Sequence, residues 1–169
     1  MSETSGKSME DEKQISQAYI AFELAGTTYA IPSRLVQQLE MIEQITPVPN
    51  APDAVEGVIH SRGQVIPAVN LRSRFGFEKI PIGLRTRLIV VNISGRTVGL
   101  MVDTAREFIS IAPESIQAPN EAISGMSGKY LKGIATLADR IILILDVEEI
   151  INLSDFTAGS QPALSSQAV

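Results

Sequence analysis

Residues 57–72 read Gly57-Val58-Ile59-His60-Ser61-Arg62-Gly63-Gln64-Val65-Ile66-Pro67-Ala68-Val69-Asn70-Leu71-Arg72. Two β-branched runs flank an Arg-Gly turn, the pattern of an antiparallel hairpin with strands over residues 55–62 and 65–71. The same pattern returns later in the chain. Gly57, Val65, Val69 and Asn70 each stand 76 positions before Gly133, Ile141, Leu145 and Asp146. Gly26, Tyr29, Ala30 and Ile31 stand 69 positions before Gly95, Val98, Gly99 and Leu100. The two offsets differ by seven, so one loop has changed length between two copies of a small β unit.

Other elements follow from these anchors. Ile20, Phe22 and Leu24 alternate with Ala21 and Glu23, which predicts a half-buried strand. A turn at 26–28 returns it through Tyr29-Ala30-Ile31. Pro32 suits the first position of a short helix over 32–36, because its missing N–H is not needed there. Extended chain resumes at 38–42. The loop 46–52 holds three prolines, which cannot pair in a central strand. Residues 75–85 read as a connector. Further strands fall at 88–93, 98–102, 108–111, 131–136 and 141–147, with a helical turn at 113–116, a loop at 118–128 and a short closing helix at 148–153. The packed body is expected over 15–153, with repeat units at about 15–85 and 86–153. Residues 1–14 and 154–169 are polar or small and are expected to be disordered. Each copy is only ~60 residues, marginal for a core of its own, so the two should pack over a common apolar face. Short antiparallel strands in so small a unit hide their edges by closing into barrels.

Composition narrows the chemistry. The 169 residues include no cysteine and one histidine. Thiol catalysis, disulfides, cysteine–metal sites and any pair of imidazoles are therefore excluded. His60, Ser61 and the distant Asp139 lack the surroundings of a nucleophile elbow. Gly125-Met126-Ser127-Gly128-Lys129-Tyr130 misses phosphate-loop spacing and ends in Tyr where a hydroxyl is needed for magnesium. No catalytic residue, cofactor or metal is expected. The net charge of −5 and the aromatic content of 5% oppose nucleic-acid binding. No apolar run reaches the ~20 residues of a membrane span, and residues 1–13 lack a secretory pattern, so a cytoplasmic place without membrane insertion is expected. One segment stands out. Residues 62–87 hold Arg62, Arg72, Arg74, Lys79, Arg85 and Arg87 against Glu78 alone. They form either a partner face or outward strand positions alternating with core.

The sequence resembles the CheW family of chemotaxis coupling proteins. The resemblance covers about 17–153 and rests on Phe22-x-Leu24, Tyr29-Ala30-Ile31, Val36, Val48-Pro49 and the central block 57–72. In the second half it rests on Val98-Gly99-Leu100-x-Val102-Asp103, Tyr130-Leu131-x-Gly133 and Leu143-x-Leu145. It implies an all-β fold with short helices: two intertwined five-stranded SH3-like barrels over a shared apolar core. It implies no catalysis, but an adaptor between the cytoplasmic tip of a methyl-accepting chemoreceptor and the regulatory domain of a CheA-type histidine kinase. The alternative is a CheW-like scaffold of a non-flagellar pathway, for surface motility or second-messenger control, with another kinase.

By the same resemblance a receptor groove would include Val36, Gln38, Gly57, Arg62 and Phe108. Val36 and Phe108 would give apolar contact, Gly57 close backbone approach, and Arg62 a fork of donors. The kinase face stays unassigned. The chain departs from the family pattern at His60 and Ser61, where Asn and Leu are usual, and at Asn70, where Asp is usual. It departs again at Gln38, usually a Glu that can pair with the arginine at the Arg62 position.

Overall fold

A computed structural model of the chain describes residues 16–119 and 128–152. The polar segments expected at 1–14 and 154–169 lie outside them, and so does most of the loop expected at 118–128. The strands are β1 (Gln17–Leu24), β2 (Thr27–Pro32), β3 (Val36–Met41), β4 (Val55–Ser61), β5 (Gln64–Asn70), β6 (Arg87–Ile93), β7 (Arg96–Val102), β8 (Thr104–Ile111), β9 (Ile116–Gln117), β10 (Leu131–Leu137) and β11 (Arg140–Leu145). Two short helices, α1 (Leu71–Arg74) and α2 (Val147–Ile151), follow β5 and β11. Single 3-10 turns stand at Ser33–Leu35, Pro113–Ser115 and Gly128–Tyr130.

The strands form two sheets, ordered β8-β1-β2-β11-β10-β9 and β3-β6-β7-β5-β4. Each sheet draws on both halves of the sequence. The first hairpin, β1-β2, joins strands of the second half, and β6-β7 joins strands of the first. The exchange follows the repeat. β2 runs parallel to β11 with Ala30 opposite Ile144, and β7 runs parallel to β5 with Gly99 opposite Ala68. These are the same positions at the 69 and 76 offsets. The sixth strand of the first sheet, β9, is two residues long and pairs Gln117 with Ile134. Its counterpart is an isolated bridge between Thr46 and Val58 of the edge strand β4, so the proline loop touches the sheet at one non-proline residue and enters no central strand.

Apolar residues explain the arrangement. The central cluster takes Phe22, Leu24 and Ile31 from one sheet and Ile89, Val91, Leu100 and Val102 from the other, all almost wholly buried. Each sheet also packs a cluster on its other face. Tyr19, Ala30, Ile142 and Ile144 belong to the first, and Ile66, Ala68, Leu88 and Val90 to the second. β1 is therefore buried on both faces, including Ala21, and not half-buried as its alternation suggested. In the second sheet the edges β3 and β4 meet through side chains: Gln38 Nε2 donates to Ser61 Oγ at 2.6 Å, and Ser61 Oγ donates to Glu40 Oε1 at 2.8 Å.

Polar residues lock the two sheets together. Asn70 caps α1 by accepting from the N–H groups of Arg72 and Ser73, and Asp146 caps α2 by accepting from that of Glu149. The caps are 76 positions apart, so the usual-Asp position at Asn70 keeps its capping oxygen. Arg72 forks onto Asp103, with Nε 2.7 Å from Oδ1 and Nη2 2.6 Å from Oδ2, while the Ala25 N–H of the β1–β2 turn donates to Asp103 at 2.9 Å. Arg74 is 4% exposed. It donates to the carbonyls of Ile150, Glu149 and Asn152 at 2.9, 3.2 and 2.9 Å and lies 5.0 Å from the Tyr130 ring centre.

Candidate functional site

β3 and β8 occupy equivalent places. β3 pairs with β6 and β8 with β1, and each pair carries a register shift at the same point of the repeat. That bulge displaces one residue, Gln37 in β3 and Arg106 in β8, and re-aims the edge strand. Both strands are edges of their sheets. Between them lies a groove of about 260 Å³ bounded by Ile20, Leu39, Glu40, Met41, Arg106 and Phe108 among others. Leu39 is 40% exposed, Met41 58% and Phe108 68%, which is unusual for such large apolar side chains gathered at one place. A second, more polar groove of about 510 Å³ shares Glu40 and Met41 and adds Glu43, Gln44, Thr46, Ile59 and His60.

The expected site residues divide. Phe108 stands on the groove wall with its ring in solvent, so core packing does not account for it. Gln38 lies on β3, but its amide goes to Ser61 rather than to Arg62. Arg62 is exposed in the β4–β5 turn at φ +49° and has no hydrogen bond or ion pair among the described residues. It directly follows Ser61, the middle member of the Gln38–Ser61–Glu40 hydrogen-bonded chain. Val36 is half-buried and packs on the central core. Gly57 is buried at a bulge with φ +152°, and a Cβ there would meet the Thr46 carbonyl oxygen at 2.2 Å. Its lack of a side chain is thus required inside the chain, to let residues 45–46 lie against β4.

Leu39, Glu40, Met41 and Ser61 complete the site and were not selected from sequence. The signal for Leu39 was available, since it lies 69 positions before Phe108. Ser61 is a buried hydroxyl, 6% exposed, satisfied by Gln38 and Glu40. His60, its neighbour, is exposed, because successive residues of a strand point to opposite faces. The two side chains therefore do not build a nucleophile and base. Asp139 sits in the β10–β11 turn of the other sheet.

The cationic segment 62–87 resolves into mostly internal duties. Arg72 is held by Asp103, Arg74 by helix-end carbonyls, Lys79 by Glu56 at 3.0 Å, and Arg87 by the carbonyls of Leu84 and Thr86. Only Arg62 and Arg85 of the six have no such partner among the described residues. Those residues also hold no group of three or more His, Cys, Asp or Glu placed to bind a metal, and no helix long and apolar enough to cross a membrane.

Known proteins share this plan. The CheW-like domain profile matches residues 18–155. The chain is 33% identical over 150 residues to chemotaxis protein CheW of Helicobacter pylori, covering 88% of each chain. It is 29% identical over 151 residues to chemotaxis protein CheW of Klebsiella aerogenes, covering 89% of this chain and 91% of that one. The crystal structure of the scaffolding protein TtCheW from Thermoanaerobacter tengcongensis superposes with a TM-score of 0.76 at 30% identity, over 82% of this chain and 94% of that one. With the profile spanning nearly all the described residues and the exchanged-sheet fold in common, the chain belongs to the CheW-like family.

Proposed function

We propose that this chain is a non-catalytic coupling adaptor of a bacterial chemosensory array, working in the cytoplasm. The groove between β3 and β8 takes one helix of a chemoreceptor's cytoplasmic hairpin tip, and another face meets the regulatory domain of a CheA-type histidine kinase. The carrying observation is that Leu39, Met41 and Phe108, all exposed, line one groove to which both repeats contribute. An apolar trough with polar margins suits an amphipathic helix presenting anchors at i, i+3, i+4 and i+7.

Each expected residue has a part in this reading. Phe108, Leu39 and Met41 provide the apolar contact. Gln38 ties β3 to β4 through Ser61 and so fixes the wall. Arg62, free of internal partners among the described residues, offers its guanidinium to carboxylates or carbonyls of the receptor. Val36 seats the start of β3 on the core, and Gly57 keeps residues 45–46 against β4. The test is reconstitution of a receptor cytoplasmic fragment with the kinase, with and without this chain. Kinase control by the receptor should require the chain and fall with Arg62→Ala, which leaves the fold intact. Receptor control that is the same without the chain would refute the adaptor reading.

A further inference from the structure

We propose that Glu40 sets the specificity of the groove, selecting a partner helix that carries a lysine or arginine beside its apolar stripe. This rests on the reading that the groove holds a helix, and it adds the charge that helix must bear.

The argument comes from the charged side chains that bound the groove: Glu40, Arg87, Arg106 and Glu107. Arg106 is bound to Glu23 at 3.1 Å and Glu107 to Arg140 at 3.0 Å. Arg87 gives its Nη1 to the carbonyls of Leu84 and Thr86 at 2.6 and 2.9 Å. Glu40 is different: among the described residues its partner is the neutral hydroxyl of Ser61. It is the one carboxylate of the groove with no cation there. Beyond it, in the adjoining groove, Glu43 likewise has no cationic partner among the described residues, and the lining carries a single imidazole, His60.

Glu40 is also held in place. Ser61 donates to it while accepting from Gln38, so its carboxylate is fixed by a hydrogen-bonded chain that spans β3 and β4. A fixed, half-buried charge loses little freedom when a partner arrives. Glu40 is turned from Leu39 and Met41 toward Ser61, so its carboxylate stands at the margin where the apolar groove meets the polar one, and a helix seated on Leu39, Met41 and Phe108 meets it with residues that reach across that margin. A lysine or arginine there gains a charge-assisted bond, and an acidic residue meets uncompensated like charge, which gives discrimination by repulsion as well as attraction.

Glu40→Gln separates charge from structure, because the amide oxygen still accepts from Ser61. The probe is a fluorescently labelled receptor cytoplasmic hairpin fragment, titrated with the full chain across a range of salt concentrations. Binding to Glu40→Gln should weaken about tenfold, with a shallower salt dependence. Glu40→Lys should bind more weakly still, and a Lys→Glu or Arg→Glu change at one position of the receptor tip should restore it. Phe108→Ala separates the two claims. If Phe108→Ala loses binding while both Glu40 variants bind as the parent does at every salt concentration, the groove stands and the role of Glu40 is refuted. If Phe108→Ala binds normally, the groove reading fails and the inference fails with it.

Discussion

Leu39 on β3 and Phe108 on β8 are the same position of a duplicated unit, and they line one groove. Leu39 pairs with Ile89 and Phe108 with Ile20, so both partners and both residues are 69 apart. The duplication thus does more than supply two sheets. By exchanging its hairpins between them, it leaves two equivalent edge strands side by side, and each repeat provides one wall of a shared trough. Neither half could form that trough alone.

Phe108→Ala is expected to separate binding from stability. The ring is 68% exposed, so its loss should change stability by no more than about 0.5 kcal/mol. Co-sedimentation with a receptor fragment should fall severalfold, as for an anchor residue at the centre of an interface. Thermal melts run beside the binding assay check both parts, and a melting temperature lowered by many degrees would place the ring in the core instead.

The two bulge glycines should differ in cost. At Gly57 a Cβ would strike the Thr46 carbonyl oxygen at 2.2 Å, from a backbone conformation with φ +152° that L residues rarely adopt. At Gly133 the nearest atom is the Ile116 Cγ2, at 2.5 Å, a side-chain methyl on a two-residue edge strand rather than backbone, with the Gln117 carbonyl oxygen further off at 3.3 Å. Gly57→Ala should therefore lose about 3 kcal/mol or more, and Gly133→Ala about 1–2 kcal/mol, in urea denaturation. Any coupling defect of a Gly57 variant would then arise through folding, and equal stability of the two variants would contradict this account.

The Arg72–Asp103 pair gives the fold a pH dependence. Burial by itself raises the Asp103 carboxyl, but the Arg72 guanidinium and the Ala25 N–H outweigh it and hold the group below the usual carboxylate range. The native state thus binds this proton less readily than the unfolded chain does, whose Asp titrates near ~3.9. Its contribution is complete above that value and disappears as pH falls through the lower native one. Asp103→Asn should lose about 1.5–3 kcal/mol at neutral pH. The gap from the parent should stay constant down to about pH 5 and then shrink. A gap that widens in acid would contradict the assignment.

Arg74 should prove irreplaceable by lysine. Its planar fork reaches three carbonyls at the end of α2 and lies over the Tyr130 ring, a geometry that a single ammonium cannot reproduce. Arg74→Lys is expected to raise amide hydrogen exchange in Val147–Ile151 before the strands are affected. Unchanged protection there would show that the helix is held by its apolar side chains alone.

The strands and the duplication were legible because both are local signals: β-branched alternation, Gly turns, and residues recurring at fixed offsets. Asn70 and Asp146 even matched as a pair before their shared capping role was visible. α1 was not read, since four residues carry too little periodicity to distinguish Leu71–Arg74 from the end of a strand. The site was half legible. The resemblance named Phe108, which lies on the groove wall, and Arg62, which lies exposed in the β4–β5 turn, whereas the Gln38–Ser61–Glu40 chain joins residues up to 23 positions apart, on strands that are not hydrogen-bonded neighbours. The cationic run from 62 to 87 stood open between a partner face and outward strand positions, because sequence does not reveal that Arg72 and Arg74 turn inward to carboxylate and carbonyl partners.

The most direct test of the central claim is the amide and methyl NMR spectrum of the chain as a receptor hairpin fragment is added. The account predicts that Leu39, Glu40, Met41, Arg62 and Phe108 shift first and furthest, while the exposed Val65 and Ile141 at the hairpin ends stay in place. Perturbations centred on Val65 or Ile141, with β3 and β8 silent, would contradict it.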